Sequence, residues 1–215
     1  MKLPHRRQFL HLAAGAAALP AAPRIAVAQS YPTRPVRVIV PVAPAGAADI
    51  TARLIGQWLS ERLGQQFIID NRPGGGNNIG TEAVVRAPAD GYTLLLAATP
   101  NAVNVTLYDK LSFNFLRDIA PVATIIRAPT VGEFVPGYEA SAWFGIGAPK
   151  NTPSQIIDKL NEAINAGLGD PKIRARLADF GGTPLVGSPA EFGKFIAEET
   201  EKWAKVIKFA GIKVE

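Results

Sequence analysis

Short runs of apolar residues alternate along the chain with longer stretches in which apolar residues recur every three or four positions. The short runs are typical of buried β-strands, and the longer pattern is typical of amphipathic α-helices. The short runs predict five strands, at Val36–Val42, Gln66–Asp70, Thr93–Ala98, Ile119–Ile126 and Ala142–Ala148.

The periodic stretches predict the helices between these strands. Gly64 ends the first helix, Thr152 is a candidate N-cap with Pro153 at the first helical position, and Ser188 begins the last helix with a capping box to Glu191. The predicted helices are Asp49–Leu63, a short helix ending at Val85, Ala102–Tyr108, Thr152–Leu168, Pro171–Asp179 and Ser188 to about Phe209.

Strands that alternate with helices are joined by crossovers, which give a parallel sheet with helices on both faces. We therefore predict an α/β fold with a doubly wound and mainly parallel sheet. The 215 residues, 47% of them hydrophobic, are enough for one ordinary domain or two small lobes.

The formal net charge of +5 would suggest an anionic partner such as nucleic acid. However, Lys2, Arg6, Arg7 and Arg24 all precede residue 29, and no acidic residue does. The rest of the chain is therefore almost neutral, without the clustered surplus of Lys and Arg that nucleic-acid binding needs. We predict no nucleic-acid partner.

The first 28 residues have the features of an export signal. A basic start containing Arg6-Arg7 is followed by a short apolar run and by the small-residue site Ala26-Val27-Ala28. The paired arginines indicate the twin-arginine route, with general secretion as the alternative. We predict a periplasmic protein that begins near Gln29 and has no membrane span.

Both histidines, His5 and His11, lie in this predicted signal, and the chain has no cysteine. An exported chain without either residue type has no disulfide, no Cys/His zinc site, no cysteine nucleophile and no Ser-His-acid triad. We therefore predict a protein that is not an enzyme and that uses no metal and no cofactor.

A glycine cluster at positions 74–76 invites comparison with nucleotide-binding loops. It lacks the Gly-Lys-Ser/Thr ending of a P-loop, and Gly80 comes one residue too late for the dinucleotide fingerprint. We interpret the segment Asn71–Gly80 as a mobile surface connection at the end of a strand.

The turn Pro44–Asp49 is the stronger candidate for a binding site. It joins a strand to a helix at the carboxyl edge of the sheet, where open α/β sheets bind ligands. The small residues Ala45, Gly46 and Ala47 would let an anion approach the free N–H groups at the helix start. Asp49 is either a plain N-cap, the reading that sequence favours, or a residue that binds ligand through a hydroxyl or water.

A second turn of the same kind follows the third strand. Thr99, Pro100 and Asn101 lead from that strand into a helix, and Thr99 and Asn101 can cap the helix, bind ligand or do both. If the two strands are neighbours, both helix starts face one crevice, which is the arrangement that an anionic ligand requires.

Several multi-residue blocks of this chain resemble the Bug family of periplasmic receptors of tripartite tricarboxylate transporters. The blocks are YPTRPVRVIVPVAPAGAADITARL, NRPGGGNNIGTEAVVRAPADGYTLLLA, NVTLYDKLSFNFLRDIAPVATI and WFGIGAPKNTPSQIIDKLN. The resemblance implies a two-lobed protein with a periplasmic-binding-protein-like fold, which closes on a small carboxylate and delivers it to a membrane permease. It also implies binding loops at Pro44–Asp49, where Ala47 replaces a usual glycine, and at Ala98–Asn101.

The resemblance also predicts a gap. In the family, the strand ending near Ile126 leads into a second lobe, whereas here Ile125–Pro129 runs directly into Thr130 and the segment before Trp143. Residues 29–129 would form the first part of the ligand-binding lobe, and residues 130–215 would return to it. Most of a lobe of roughly 100 residues would be missing, so we expect weakened or lost ligand capture.

Two other functions remain open at this point. The lone lobe is an interaction module that docks on a permease or sensor without carrying ligand, or it is a hydrolase that uses carboxylates such as Asp49 and Asp70. The second is less favoured, because no nucleophile or metal set accompanies these acids. Trp143 and Phe144, adjacent in a strand, are predicted to be core residues on opposite faces.

Overall fold

The computed structural model describes residues 31–129 and 141–213. The predicted export signal and the segment 130–140 lie outside the described residues. The strands of the described part are β1 (Val36–Val40), β2 (Phe67–Asn71), β3 (Thr93–Ala98), β4 (Ile119–Pro129), β5 (Ser141–Pro149) and β6 (Thr183–Pro184). Its helices are α1 (Ala47–Leu63), α2 (Asn78–Val85), α3 (Thr99–Leu107), α4 (Phe115–Asp118), α5 (Ser154–Gly169), α6 (Pro171–Ala178) and α7 (Pro189–Ala210).

The six strands form one sheet in the order β2-β1-β3-β5-β4-β6. β1 pairs in parallel with β2 and β3, while β5 runs antiparallel to both β3 and β4. β4 therefore points the same way as β1, β2 and β3, and the predicted mainly parallel α/β fold is confirmed. Only β5 and the short β6, which pairs antiparallel with β4, run in the opposite direction.

Helices cover both faces of this sheet, as predicted for a doubly wound fold. Side chains of α1, α5 and α6, including Ile55, Leu160 and Leu177, form one buried cluster with the sheet. Side chains of α2, α3 and α7, including Val84 and Phe192, form the other. Because each face of the sheet is closed by helices, its carboxyl edge is where loops meet solvent.

The aromatic pair in β5 divides between the two clusters, as predicted. Trp143 is fully buried, and its ring packs edge to face on the ring of Phe192 with centroids 5.9 Å apart. Phe144 is partly buried and packs against the opposite cluster. Adjacent residues of a strand point to opposite faces, which explains the division.

All five predicted strands are present: the bounds of β3 match the prediction, and the ends of the others differ from it by at most three residues. Besides the start of α5, the predicted starts of two helices were wrong: α1 begins at Ala47 rather than Asp49, and α3 begins at Thr99 rather than Ala102. α3 begins directly after β3, whereas residues 41–46 separate β1 from α1. The first three residues of each helix include no Leu, Ile, Val or aromatic residue, which is why the apolar periodicity placed both starts late.

Of the two predicted helix caps, one is confirmed and the other was wrong. Ser188 caps α7 as predicted, since its Oγ accepts from the Glu191 N–H and its own N–H donates to Glu191 Oε2 at 2.7 Å. The prediction for Thr152 was wrong, because α5 begins at Ser154 with Pro153 in the N-cap position. The Thr152 hydroxyl instead donates to the Pro149 carbonyl oxygen at 2.7 Å.

None of the described helices is both long enough and apolar enough to cross a membrane.

Candidate functional site

The two turns singled out in the sequence leave the same edge of the sheet. The first joins β1 to α1, and the second joins β3 directly to α3. β1 and β3 are neighbours and run parallel, with Val38 opposite Leu94 and Ile39 opposite Leu95. The turns are therefore side by side at the carboxyl ends of paired strands, where ligands bind in open α/β sheets.

The first turn presents backbone to solvent. Ala45, Gly46 and Ala47 are exposed, and Gly46 is the N-cap of α1 with φ −84° and ψ 168°. A Cβ atom added to Gly46 would have no neighbour within 4 Å. The first N–H groups of a helix have no partner within it, so the N–H of the exposed Ala47 is available for a hydrogen bond from this open surface.

Asp49 is not the N-cap of α1, which corrects the reading favoured by the sequence. It is the third helical residue, it is only 2% exposed, and its carboxylate turns back to bind the turn. Asp49 Oδ2 accepts from the Ala45 N–H and from Arg53 Nε, both at 2.9 Å, and Oδ1 accepts from Asn71 Nδ2 at 2.9 Å. Both carboxylate oxygens thus have partners within the protein.

The surroundings of Asp49 keep it ionised. Burial by itself raises the pKa of Asp49, but the hydrogen bonds from Arg53, the Ala45 N–H and Asn71, together with the Arg53 charge, outweigh burial and lower the pKa to about 2. At neutral pH the group is therefore a fixed hydrogen-bond acceptor and not a proton donor.

The second turn is tied to its neighbours by side chains. Asn101 is 2% exposed: its Oδ1 accepts from the Ala98 N–H at 2.8 Å, and its Nδ2 donates to Thr81 Oγ1 at 2.7 Å. Thr99 Oγ1 accepts from the Trp143 N–H at 3.1 Å. Pro100 is exposed and has no N–H. Asn101 and Thr99 thus brace this turn against α2 and the start of β5.

The glycine-rich segment is better anchored than the mobile surface connection that its sequence predicts. Asn104 Nδ2 on α3 donates to the Gly76 carbonyl at 2.6 Å and to Asn78 Oδ1 at 2.9 Å. Gly76 has a φ of +62°, and a Cβ there would lie 2.6 Å from Tyr108 Oη. These glycines permit close packing on α3, a role that does not require a nucleotide.

Two guanidinium groups lie at the same edge of the sheet. The side chain of Arg53 is 53% exposed. Arg127, near the carboxyl end of β4, is exposed and donates from Nε to Ser141 Oγ at 3.0 Å, and the Ser141 carbonyl faces Thr99 Oγ1 at 3.4 Å. The charge of Arg53 is paired with that of Asp49, so the positive charge that favours an anion at this edge is that of Arg127.

Sequence reasoning missed five residues of this edge: Arg53, Asn71, Thr81, Arg127 and Ser141. Arg53 was detectable, since it follows Asp49 by four residues on one helix face. Asn71 was also detectable, because it directly follows a strand that ends at the same edge. Thr81 and Ser141 contact residues 20 and 42 positions away, and no local pattern marks such contacts.

Within residues 31–129 and 141–213, no three His, Cys, Asp or Glu residues are grouped so that they could hold a metal ion. What the edge offers is free helix N–H groups, braced turns and two arginines. In an α/β sheet with helices on both faces, this arrangement is that of a lobe from a periplasmic binding protein.

The comparison with protein families assigns the chain more narrowly. The model of the tripartite tricarboxylate transporter family receptor (TctC) matches residues 51–136 and 128–212. The chain belongs to this family. Among curated proteins, it is 25% identical to BugT of Bordetella pertussis over 302 residues, covering 87% of this chain and 93% of BugT. It is 40% identical to a UPF0065 protein of Bordetella bronchiseptica over 105 residues, covering 48% of this chain and 31% of that protein.

Solved structures show the same fold. Rpa4515 of R. palustris, determined with adipate, has a TM-score of 0.81 and 25% identity, covering 85% of this chain and 99% of Rpa4515. The periplasmic binding protein BugD has a TM-score of 0.80 and 21% identity, covering 86% of this chain and all of BugD.

The chain is shorter than its relatives, as the sequence predicted. It has 215 residues, whereas the homologues have roughly 300. The family model matches in two pieces that meet at residues 128–136, which is where the resemblance placed the gap.

Proposed function

We propose that this chain is an exported solute-binding protein that captures a small carboxylate for a tripartite tricarboxylate transporter, with affinity lowered by the missing second lobe. The observation that carries the proposal is the pairing of the first turn with the second at one edge of the sheet, in a member of this receptor family. Rpa4515, a relative with the same fold, was determined with adipate, a dicarboxylate.

In this proposal, backbone groups make the first contacts with the ligand. A carboxylate oxygen near Gly46 would accept hydrogen bonds from the N–H groups at the start of α1, where the helix dipole favours negative charge. Each hydrogen bond to a charged group contributes about 1.5–3 kcal/mol. The guanidinium group of Arg127 would attract the anion to this edge.

The missing lobe determines the affinity that we expect. A receptor with two jaws closes on its ligand and excludes water, whereas here one side of the ligand would remain in solvent, which weakens every electrostatic contact. Losing half of the polar contacts would move the dissociation constant from about micromolar, near −8 kcal/mol, to about millimolar, near −4 kcal/mol.

The charges on the acids argue against the hydrolase alternative. Asp49 is ionised and fully hydrogen-bonded within the protein, and Asp70 contacts Arg72 at 3.0 Å and Arg37 at 3.8 Å. Neither carboxylate is arranged to activate water or a nucleophile. Ligand binding therefore explains the residues at this edge of the sheet better than hydrolysis does.

Calorimetric titration of the chain from Gln29 onward with adipate tests the proposal, with the uncharged adipamide as the control. We expect saturable binding of adipate at millimolar concentration and none of adipamide. Micromolar binding would contradict the effect assigned to the missing lobe. If no dicarboxylate of four to six carbons binds, ligand capture is wrong, and co-purification with the membrane subunits of the transporter would then favour the interaction module.

A further inference from the structure

We propose that Arg53 and Asn71 are positioning residues that act through Asp49 to fix the direction of the N–H groups in the first turn. The effect on ligand affinity rests on the proposed function. The effect on the turn itself does not, because it is measurable without any ligand.

The first turn contains a backbone conformation that needs support. Ala45 has a φ of +72°, in the left-handed region that residues with a Cβ atom disfavour. Ala45 is exposed, so packing of its side chain does not hold it. The contact that does is the hydrogen bond from the Ala45 N–H to Asp49 Oδ2, at 2.9 Å.

Asp49 is in turn held by a closed set of hydrogen bonds. Arg53 donates from Nε to Asp49 Oδ2 at 2.9 Å and from Nη2 to Asn71 Oδ1 at 3.1 Å. Asn71 donates from Nδ2 to Asp49 Oδ1 at 2.9 Å and to the Val42 carbonyl at 3.1 Å. The three side chains thereby connect α1, the end of β2 and the chain just after β1, so the turn has little freedom to reorient.

The same hydrogen bonds also reduce the electrostatic repulsion between Asp49 and a carboxylate ligand. An ionised Asp49 beside the turn would repel a carboxylate ligand. Arg53 places a positive charge against it, and its half-exposed guanidinium covers the carboxylate, whose side chain is only 3% exposed. With the Asp49 charge neutralised and its oxygens occupied, the turn presents N–H donors to an anion.

The variants Arg53→Ala and Asn71→Ala test the geometry in the ligand-free chain by NMR. We expect the Ala45 amide proton to shift upfield in both, as its hydrogen bond to Asp49 loosens. A carbon-13 titration should show a higher pKa for the Asp49 carboxyl in Arg53→Ala. Arg53→Lys, which keeps the charge but cannot reach both partners, should retain a low pKa for Asp49 and still shift the Ala45 amide.

Arg62→Ala is the matched control. Arg62 lies in the last turn of the same helix, is exposed, and has its guanidinium 5.8 Å from the centre of the Trp58 ring. This variant should leave the Ala45 amide, the Asp49 titration and adipate affinity unchanged, whereas Arg53→Ala and Asn71→Ala should weaken adipate binding at least fivefold.

The outcomes separate this inference from the proposed function. If the native chain binds no dicarboxylate, the proposed function fails while the NMR signals still decide the positioning role. If the Ala45 and Asp49 signals stay unchanged in Arg53→Ala and Arg53→Lys, the positioning role is wrong. Weaker adipate binding with unchanged signals would mean that Arg53 contacts the ligand directly, which also overturns it.

Discussion

At the scale of single residues, Gly46 is a glycine that the fold itself does not require. Its φ of −84° suits any residue, and an added Cβ would have no neighbour within 4 Å. Turn glycines usually serve a positive φ or close packing. Here neither reason applies, so close approach of a ligand to the backbone is the remaining reason that we propose.

We expect Gly46→Ala to leave the free energy of unfolding within about 0.5 kcal/mol of the native value and to weaken adipate binding roughly tenfold, about 1.4 kcal/mol. Urea denaturation and calorimetric titration measure the two quantities. Gly169→Ala is the control, since Gly169 is exposed in α5 and its added Cβ also meets no atom. Equal affinities of the two variants would argue against ligand approach at Gly46.

Two acidic residues should make the fold sensitive to acid. The pKa of Asp49 is lowered to about 2, and the bonds from Arg117 and from the Asn114 N–H lower the pKa of Asp118 to about 2 as well. A carboxyl whose pKa is depressed in the folded state contributes stability above its unfolded pKa, near 4, and that contribution is lost as pH falls toward the folded value.

We therefore expect the urea midpoint of the chain to fall between about pH 4 and pH 2, where these two groups take up protons. The Asp118→Asn variant should lose less stability over that interval than the native chain, because one of the two contributions is absent at every pH. A midpoint that stays constant from pH 7 to pH 2.5 would contradict this assignment.

The last helix shows, at the scale of elements, how a local signal becomes a tertiary contact. The capping box of Ser188 and Glu191 starts α7 at a defined residue, and the helix then brings Phe192 and Ile196 onto the sheet. Its start was predictable from four adjacent residues. By contrast, α1 and α3 begin two and three residues before the positions that the apolar periodicity indicated.

Ser188→Ala should therefore destabilise the chain by about 1 kcal/mol, the usual cost of removing an N-cap side chain. The measurement is urea denaturation of the variant against the native chain. Ser154→Ala is a suitable control, because Ser154 is an exposed residue inside α5 rather than its cap. Equal losses in the two variants would show that the capping box contributes nothing specific.

At the scale of the whole molecule, the absent lobe leaves the sheet continuous. β4 and β5 remain paired from Ile119 opposite Pro149 to Pro129 opposite Ser141, up to the point where the two family matches meet. Residues 31–129 and 141–213 also group as one compact unit. The remaining lobe thus has its own sheet and two apolar clusters, which is what independent folding requires.

We expect a single cooperative transition in differential scanning calorimetry, with equal calorimetric and van't Hoff enthalpies. The two segments on either side of residues 130–140 share one sheet, so neither can unfold without exposing the core of the other. Two separate transitions would show that the segments 31–129 and 141–213 fold independently and would contradict a single core.

The sequence by itself determined the strands, most helices, the α/β class, the family and the position of the gap. Each of these follows from residues that are close together in the sequence: an apolar periodicity, a capping residue or a block of residues that matches the family. Only the tertiary structure decided that β5 runs antiparallel, that Asp49 binds Ala45, Arg53 and Asn71, and that Thr99 meets Trp143. These contacts depend on which strands become neighbours, and strand order is set by packing of the whole core rather than by any local stretch of the chain.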